Sequence, residues 1–316
     1  MPRRSGSALE STPHVFAALE GAGRDAAATL PLFVIMTAGS ALIWLVVTLF
    51  ALHAMRQRRS AWSERAGIWL IVVGGCAVPG VLLAALLAYG MPVLARQLDD
   101  RPSGVRLTIV GEQWWWRVRY ELPGGGHADL ANEVRLPRDR VAEVTLTSSN
   151  VIHSFWVPAL AGKMDMIPGR TTRLYLEPTR AGTYRGVCAE YCGAAHARMA
   201  LAVEVMEPDA FDRWLLAQAA PAVVTGGAGA NAVIANGCGA CHAIRGTAAA
   251  GTIGPDLTHV GGRHGLAAAS LPNSEVGLVR WMTDPDGIKP GALMPPFGMM
   301  SAEQLQTMAA YLHSLR

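Results

Sequence analysis

At 316 residues the chain has room for two or three folded units, and a net charge of +3 without any long basic run argues against a nucleic-acid partner. Hydrophobic residues make up 51% and charged residues only 16%, a balance that argues against a purely soluble protein and predicts membrane-spanning segments. Five cysteines, in two close pairs plus the isolated Cys76, point to metal or cofactor sites rather than to a disulfide framework.

Residues 1–29 are rich in alanine, glycine and serine with scattered charges, and read as a solvated lead-in. Leu30 to Leu52 and Gly67 to Ala95 contain no charged residue, and each is long enough for one helical crossing of about 20 residues. Pro31 suits a helix N-terminus, whereas Pro79 falls inside its apolar run and predicts a kink. His53 to Arg65, between the two runs, carries four arginines against one glutamate. The positive-inside rule makes this loop cytoplasmic. The N-terminus and everything after residue 96 then face the other side, the periplasm in a bacterium. Residues 30–96 thus form a two-helix transmembrane hairpin.

From Val105 to about Met206 the pattern changes to short alternating pieces: Val105–Val110, Trp114–Leu122, Glu133–Leu136, Ala142–Ser148, Thr171–Leu176, Thr183–Val187 and Leu201–Val205. Gly124-Gly125-Gly126 marks a hairpin turn. Residues 104–206 therefore read as a β-sandwich or barrel.

Within it, Cys188 to Met199 packs two thiols, an imidazole and a thioether into twelve residues: Cys188, Cys192, His196 and Met199. Thiolates four apart in a tight loop can bridge two copper ions, with nitrogen and weak thioether ligands completing the set. His153, in Asn150-Val151-Ile152-His153-Ser154, supplies the second imidazole. Spacing alone leaves open a Cys188–Cys192 disulfide, which would use neither histidine, and a zinc site, which would not use Met199.

Phe211 to Gln218 reads as a short helix and Ala219 to Ala230 as a linker, so 207–230 separates the β-domain from a final domain over 231–316. That domain opens on Cys238-Gly239-Ala240-Cys241-His242, the attachment signal for c-type haem. The two thiols form thioethers to the porphyrin and His242 is the proximal iron ligand. Met294, held in the proline-rich Pro290-Gly291-Ala292-Leu293-Met294-Pro295-Pro296, is the choice for sixth ligand over Met282, Met299 and Met300. Glu303 to Leu315 predicts a terminal helix with Leu305, Met308, Ala309 and Leu312 on its apolar face.

Taken together, these motifs resemble subunit II of haem-copper cytochrome c oxidases. The likeness extends over Gly111-Glu112-Gln113-Trp114-Trp115-Trp116 and Lys163 to Arg170, covers roughly residues 15–206, and the fused C-terminal domain is similar to the caa-type branch. The resemblance implies a multi-domain chain: a transmembrane hairpin, an all-β cupredoxin sandwich and an all-α cytochrome c domain. It implies a binuclear CuA centre in which Cys188 and Cys192 bridge both coppers, His153 and His196 bind one each, Met199 is a weak ligand and Glu190 contributes its backbone carbonyl. The Glu190 carboxylate would also serve a magnesium ion shared with the catalytic subunit. Trp114 matches the tryptophan through which electrons arrive from cytochrome c.

The implied function is a relay from a donor, cytochrome c or another carrier, through haem c to CuA. Electrons then pass to a separate subunit I that reduces oxygen and pumps protons, with subunit III as a further partner. The alternatives are a CuA-bearing subunit of a nitric oxide reductase and a stand-alone membrane-tethered electron carrier. Three positions depart from the family pattern. Val72 stands where the family has a glutamate near a proton entrance, Asn150 replaces an acidic residue, and Glu112 replaces a histidine.

Overall fold

The computed structural model describes residues 19–56, 63–98 and 100–316. Most of the 1–29 lead-in and the middle of the arginine-rich loop lie outside them. Two compact units are present, residues 27–100 and the remainder.

In the first unit, helix α1 (Arg24–Arg56) starts before Pro31 rather than at it. Ala26 to Ala28 are strong helix formers and Asp25 favours the positive end of the helix, so the first turns form upstream of the proline. The second span runs through α2 (Glu64–Trp69), a π-helical stretch (Leu70–Ala77) and α3 (Val78–Leu98). The π-turns end immediately before Pro79. Widening the helix there accommodates a ring that would otherwise strike the carbonyl one turn back. Large apolar side chains such as Phe33, Trp44, Ile71 and Leu83 are exposed along both spans, as lipid-facing side chains are. The exposed Cys76 lies in the π-helical stretch.

In the second unit, the end of the lead-in is ordered against the β-domain rather than solvated. Ala22 is buried, its N–H donates to the Ala159 carbonyl at 2.8 Å, and Asp25 accepts from Arg101 at 3.1 Å.

The β-domain is a sandwich of two five-stranded sheets. One has the order β3 (His127–Ala131), β2 (Trp115–Glu121), β1 (Val105–Glu112), β5 (Ala142–Ser148), β8 (Thr172–Leu176). The other has the order β4 (Glu133–Pro137), β10 (Ala200–Met206), β9 (Gly182–Cys188), β6 (His153–Trp156), β7 (Met164–Met166). Alternation sends Leu107, Ile109, Val144 and Leu146 inward against Trp116, Tyr120, Phe155 and Leu136. The glycine run makes the β2–β3 hairpin, with φ of +93°, +98° and +89° at Gly124, Gly125 and Gly126. Strands β3, β6 and β7 escaped the sequence pattern because each is short and carries polar residues.

Helix α4 (Pro208–Ala219) leads to a helical domain of α5 (Ala228–Ala235), α6 (Glu275–Thr283), α7 (Pro285–Ile288) and α8 (Ala302–Ser314). A two-residue ladder of β11 (Gly265–Leu266) and β12 (Leu271–Pro272) interrupts it. As the periodicity predicts, Leu305, Met308, Ala309 and Leu312 are the buried face of α8. Its Ser301–Gln304 capping box fixes where that helix begins.

Candidate metal and haem sites

Strand pairing assembles the first site. Antiparallel β6 and β9 place Phe155 opposite Cys188, which brings His153, two residues upstream of Phe155, beside the start of the cysteine loop. Cys188 Sγ lies 3.8 Å from His153 Nδ1 and 3.1 Å from the Glu190 carbonyl. Cys192 Sγ lies 3.5 Å from His196 Nδ1 and 3.9 Å from Met199 Sδ. The two sulfurs are 3.9 Å apart, far beyond the bonded distance of about 2.05 Å, so no disulfide joins them. All six sequence-predicted groups converge on one pair of sulfurs. His153, Cys188, Cys192 and Met199 are buried, while His196 is half-buried at the rim.

The donor set fits two soft metal ions better than one tetrahedral zinc. Each sulfur has an imidazole nitrogen beside it, and a thioether and a carbonyl remain over after four ligands are counted. Contact with Cys192, and then with His153 and the neighbouring backbone, holds the Cys188 thiol well below its ordinary range. The same contact, with burial, pushes Cys192 up. The pair is thereby biased towards the thiolate form that a metal requires.

Surrounding groups hold these ligands in place. Asn150 Oδ1 faces His153 Nε2 at 3.3 Å, which keeps the proton on Nε2 and turns Nδ1 towards sulfur. This is a use for Asn150 that the sequence pattern did not reveal. Gly111 leaves room for the imidazole: a Cβ there would sit 2.8 Å from His153 Cδ2. Gln113 Nε2 and Trp114 Nε1 both donate to the Cys192 carbonyl at 2.9 Å. Asp165 accepts from Ser154 at 2.7 Å and from Lys163 at 3.0 Å, and these bonds hold its carboxyl below the usual range. The Glu190 carboxylate is exposed and meets Lys163 at 3.7 Å.

The second site is a cavity of about 320 Å³ lined by Cys238, Cys241, His242, Met282 and Met294, with Trp114 on its wall. His242 Nδ1–H donates to the Pro255 carbonyl at 2.7 Å, which leaves Nε2 free as a ligand. Burial lowers the His242 pKa and so favours the neutral ring that binds metal. Gly254 cradles that ring, since a Cβ there would fall 2.5 Å from His242 Cε1. Two free thiols, a pre-oriented imidazole and an apolar slot fit a covalently held haem. Of the competing methionines, Met299 is 83% exposed, while Met282 and Met294 both line the cavity, Met282 from the buried face of α6 and Met294 from its proline-rich loop.

Residues 122–206 match the family model described as cytochrome c oxidase subunit II, periplasmic domain, and residues 227–316 match that of cytochrome c. The chain is 36% identical to cytochrome c oxidase subunit 2 of Alkalihalophilus pseudofirmus, over 75% of this chain and 69% of that protein. The chain belongs to the cytochrome c oxidase subunit II family. Subunit 2 of a Bacillus species is 30% identical over 81% of this chain and 73% of its own length. The periplasmic domain of subunit II from Bradyrhizobium japonicum has a TM-score of 0.36, with 30% identity over 38% of this chain and 97% of that one.

As a subunit II with a cytochrome c domain, this chain is a membrane protein of a haem-copper oxidase and takes part in its electron transfer. It associates with other subunits of that complex, and its cofactors are copper and haem c. Within this subunit II, Trp114 touches both sites. Its indole N–H is bonded to the Cys192 carbonyl, and its far edge meets Gly291, three residues before Met294. The sequence marked Trp114 through its motif but gave no sign of the Gly291 contact. The three tryptophans divide as a strand must divide them. Trp116 is fully buried, Trp115 lies half-buried on the other face beneath Arg117 and lines the haem cavity, and Trp114 precedes the strand.

Proposed function

We propose that this subunit carries electrons from an external donor into its own haem c, across Trp114 to a binuclear CuA centre, and on to the oxygen-reducing subunit. Trp114 supports this reading above all, because one indole is hydrogen-bonded to the metal loop and packed against the haem-cavity loop. Cys188 and Cys192 would bridge two coppers, His153 and His196 would bind one each, and Met199 and the Glu190 carbonyl would be the weak ligands. Cys238 and Cys241 would hold the haem covalently, with His242 and Met294 on its iron. These groups supply reversible one-electron chemistry that no side chain of the chain provides alone.

The protein's part is to keep the ligands still. Asn150 fixes the His153 ring, Pro255 fixes His242, and the doubly accepted Cys192 carbonyl fixes the metal loop. Held ligands change little between oxidation states, which keeps reorganisation small. The carboxylate of Glu190 is the group this chain offers to a magnesium ion shared with subunit I, and its exposure suits a site completed by a partner. The arginine-rich loop, by the positive-inside rule, supports a periplasmic position for both soluble domains.

The test is the copper spectrum of the purified oxidase. We expect an electron spin shared by two equivalent copper nuclei, lost on Cys192→Ser. A single-copper hyperfine pattern, or copper unaffected by that change, refutes the binuclear assignment. For the path, Trp114→Phe should slow haem-to-copper transfer while the haem potential stays within experimental error.

A further inference from the structure

The cytochrome domain meets the sandwich at a second seam, away from Trp114. Strands β4 and β10 run parallel with Glu204 opposite Arg135, so Glu133, Arg135 and Glu204 share one face of the sheet. Arg135 Nε lies 2.8 Å from Glu133 and 3.1 Å from Glu204, and its Nη2 donates to the Gly262 carbonyl at 3.3 Å. From the cytochrome side, the His264 N–H donates to Glu133 Oε2 at 2.8 Å and its ring Nε2 meets Glu204 Oε2 at 2.9 Å. Glu133 is 3% exposed, and a carboxylate that deep is costly unless paired. Glu133, Glu204 and His264 are spaced closely enough to hold a metal ion, but the Arg135 guanidinium already bridges the two carboxylates. Two carboxylates against one guanidinium leave a net negative charge, which an imidazolium at His264 neutralises.

We propose that Glu133, Arg135, Glu204 and His264 form a docking clasp that positions the cytochrome domain so that Gly291 stays seated on Trp114. None of the four side chains lines the haem cavity, although His264 lies between the lining residues Arg263 and Gly265, and the four are positioning residues. Only its effect on electron transfer rests on the Trp114 path; the docking itself does not.

The charged groups facing His264 are Glu133 and Arg135 from β4 and Glu204 from β10. Arg263 is its chain neighbour and donates to the Asp256 carbonyl, while Asp129 and His259 line the adjoining cleft. The Glu204 hydrogen bond raises His264 above its ordinary 6.5. Its contribution is therefore complete below about that pH and is lost as pH rises through the raised value. Glu204, lowered by the same bond, contributes above its ordinary 4.5 and fails as pH falls through the lowered value.

The experiment uses the full oxidase carrying haem and copper. Haem-to-copper transfer is timed after rapid photoreduction of the haem, and hydrogen exchange is followed at residues 262–264. His264→Gln and Glu204→Gln should each slow transfer about tenfold, as expected for roughly 1.4 kcal/mol of lost docking. Both should expose the 262–264 amides and abolish the fall in rate on alkalinisation, and the double variant should be no worse than either single one. Haem and copper potentials should not move. His264→Lys, which keeps the cation, should restore the rate without the pH dependence above neutrality. Unchanged amide protection in both glutamine variants, or shifted potentials, overturns the clasp. Exposed amides with an unchanged rate keep the clasp and instead overturn the Trp114 path.

Discussion

The contact between Gly291 and Trp114 makes the sharpest prediction. A Cβ added at Gly291 would lie 2.6 Å from Trp114 Cη2 and 2.7 Å from Cζ3, inside any tolerated contact. The indole cannot swing aside freely, because its N–H is bonded to the Cys192 carbonyl at 2.9 Å, and giving that up costs roughly 0.5–1.5 kcal/mol. Gly291 also has φ +84°, where a side chain costs roughly 1–2 kcal/mol. Gly291→Ala should therefore destabilise the docked cytochrome domain by about 1.5–3.5 kcal/mol. Gly124→Ala is the control, since it has φ +93° but open space around it and carries the backbone cost alone. Thermal unfolding of the holo-oxidase, followed at the haem and by tryptophan fluorescence, measures both. Haem-to-copper transfer should slow for Gly291→Ala only. Equal melting shifts for the two variants, together with an unchanged transfer rate, would show that the loop does not rest on Trp114.

Other positions give independent checks. Gly111→Ala places a Cβ 2.8 Å from the His153 ring and should weaken copper retention, read by metal content after chelator challenge; full retention would refute the packing account. Asn150→Ala removes the partner of His153 Nε2 and should reduce copper affinity by about 10–100-fold, as loss of a ligand-orienting bond does elsewhere. Met294→Leu should lower the haem potential and leave the copper spectrum intact, whereas an unchanged potential would assign the sixth ligand elsewhere. Lys289 is buried on the haem-cavity wall, donates to the Ala267 carbonyl at 3.2 Å, and is pushed down to about 7 by desolvation. Below that pH its charge favours the reduced haem, so the potential should fall as pH rises through about 7. Lys289→Met should remove that slope, and a persistent slope would exclude Lys289 as its source.

The candidate ligands of both sites were legible in the sequence because a ligand set is largely a local signal. Cys188 to Met199 spans twelve residues, and Cys238, Cys241 and His242 fall within five consecutive positions. The transmembrane runs and the buried face of α8 were legible for a similar reason, since each follows from composition or period along a single element. Tertiary structure decided what depends on residues far apart in the chain meeting in space. Pairing of β6 with β9 brought His153 to Cys188, and Asn150 gained a purpose only once the ring it orients was placed. The lack of room for a Cβ at Gly111 and Gly291 is set by their neighbours in space, His153 and Trp114. Likewise Glu133, Arg135 and Glu204 read as ordinary strand charges until the cytochrome loop brings His264 against them. No local periodicity encodes that meeting, because the bonds of His264 to Glu133 and Glu204 form only when residues far apart in the chain touch.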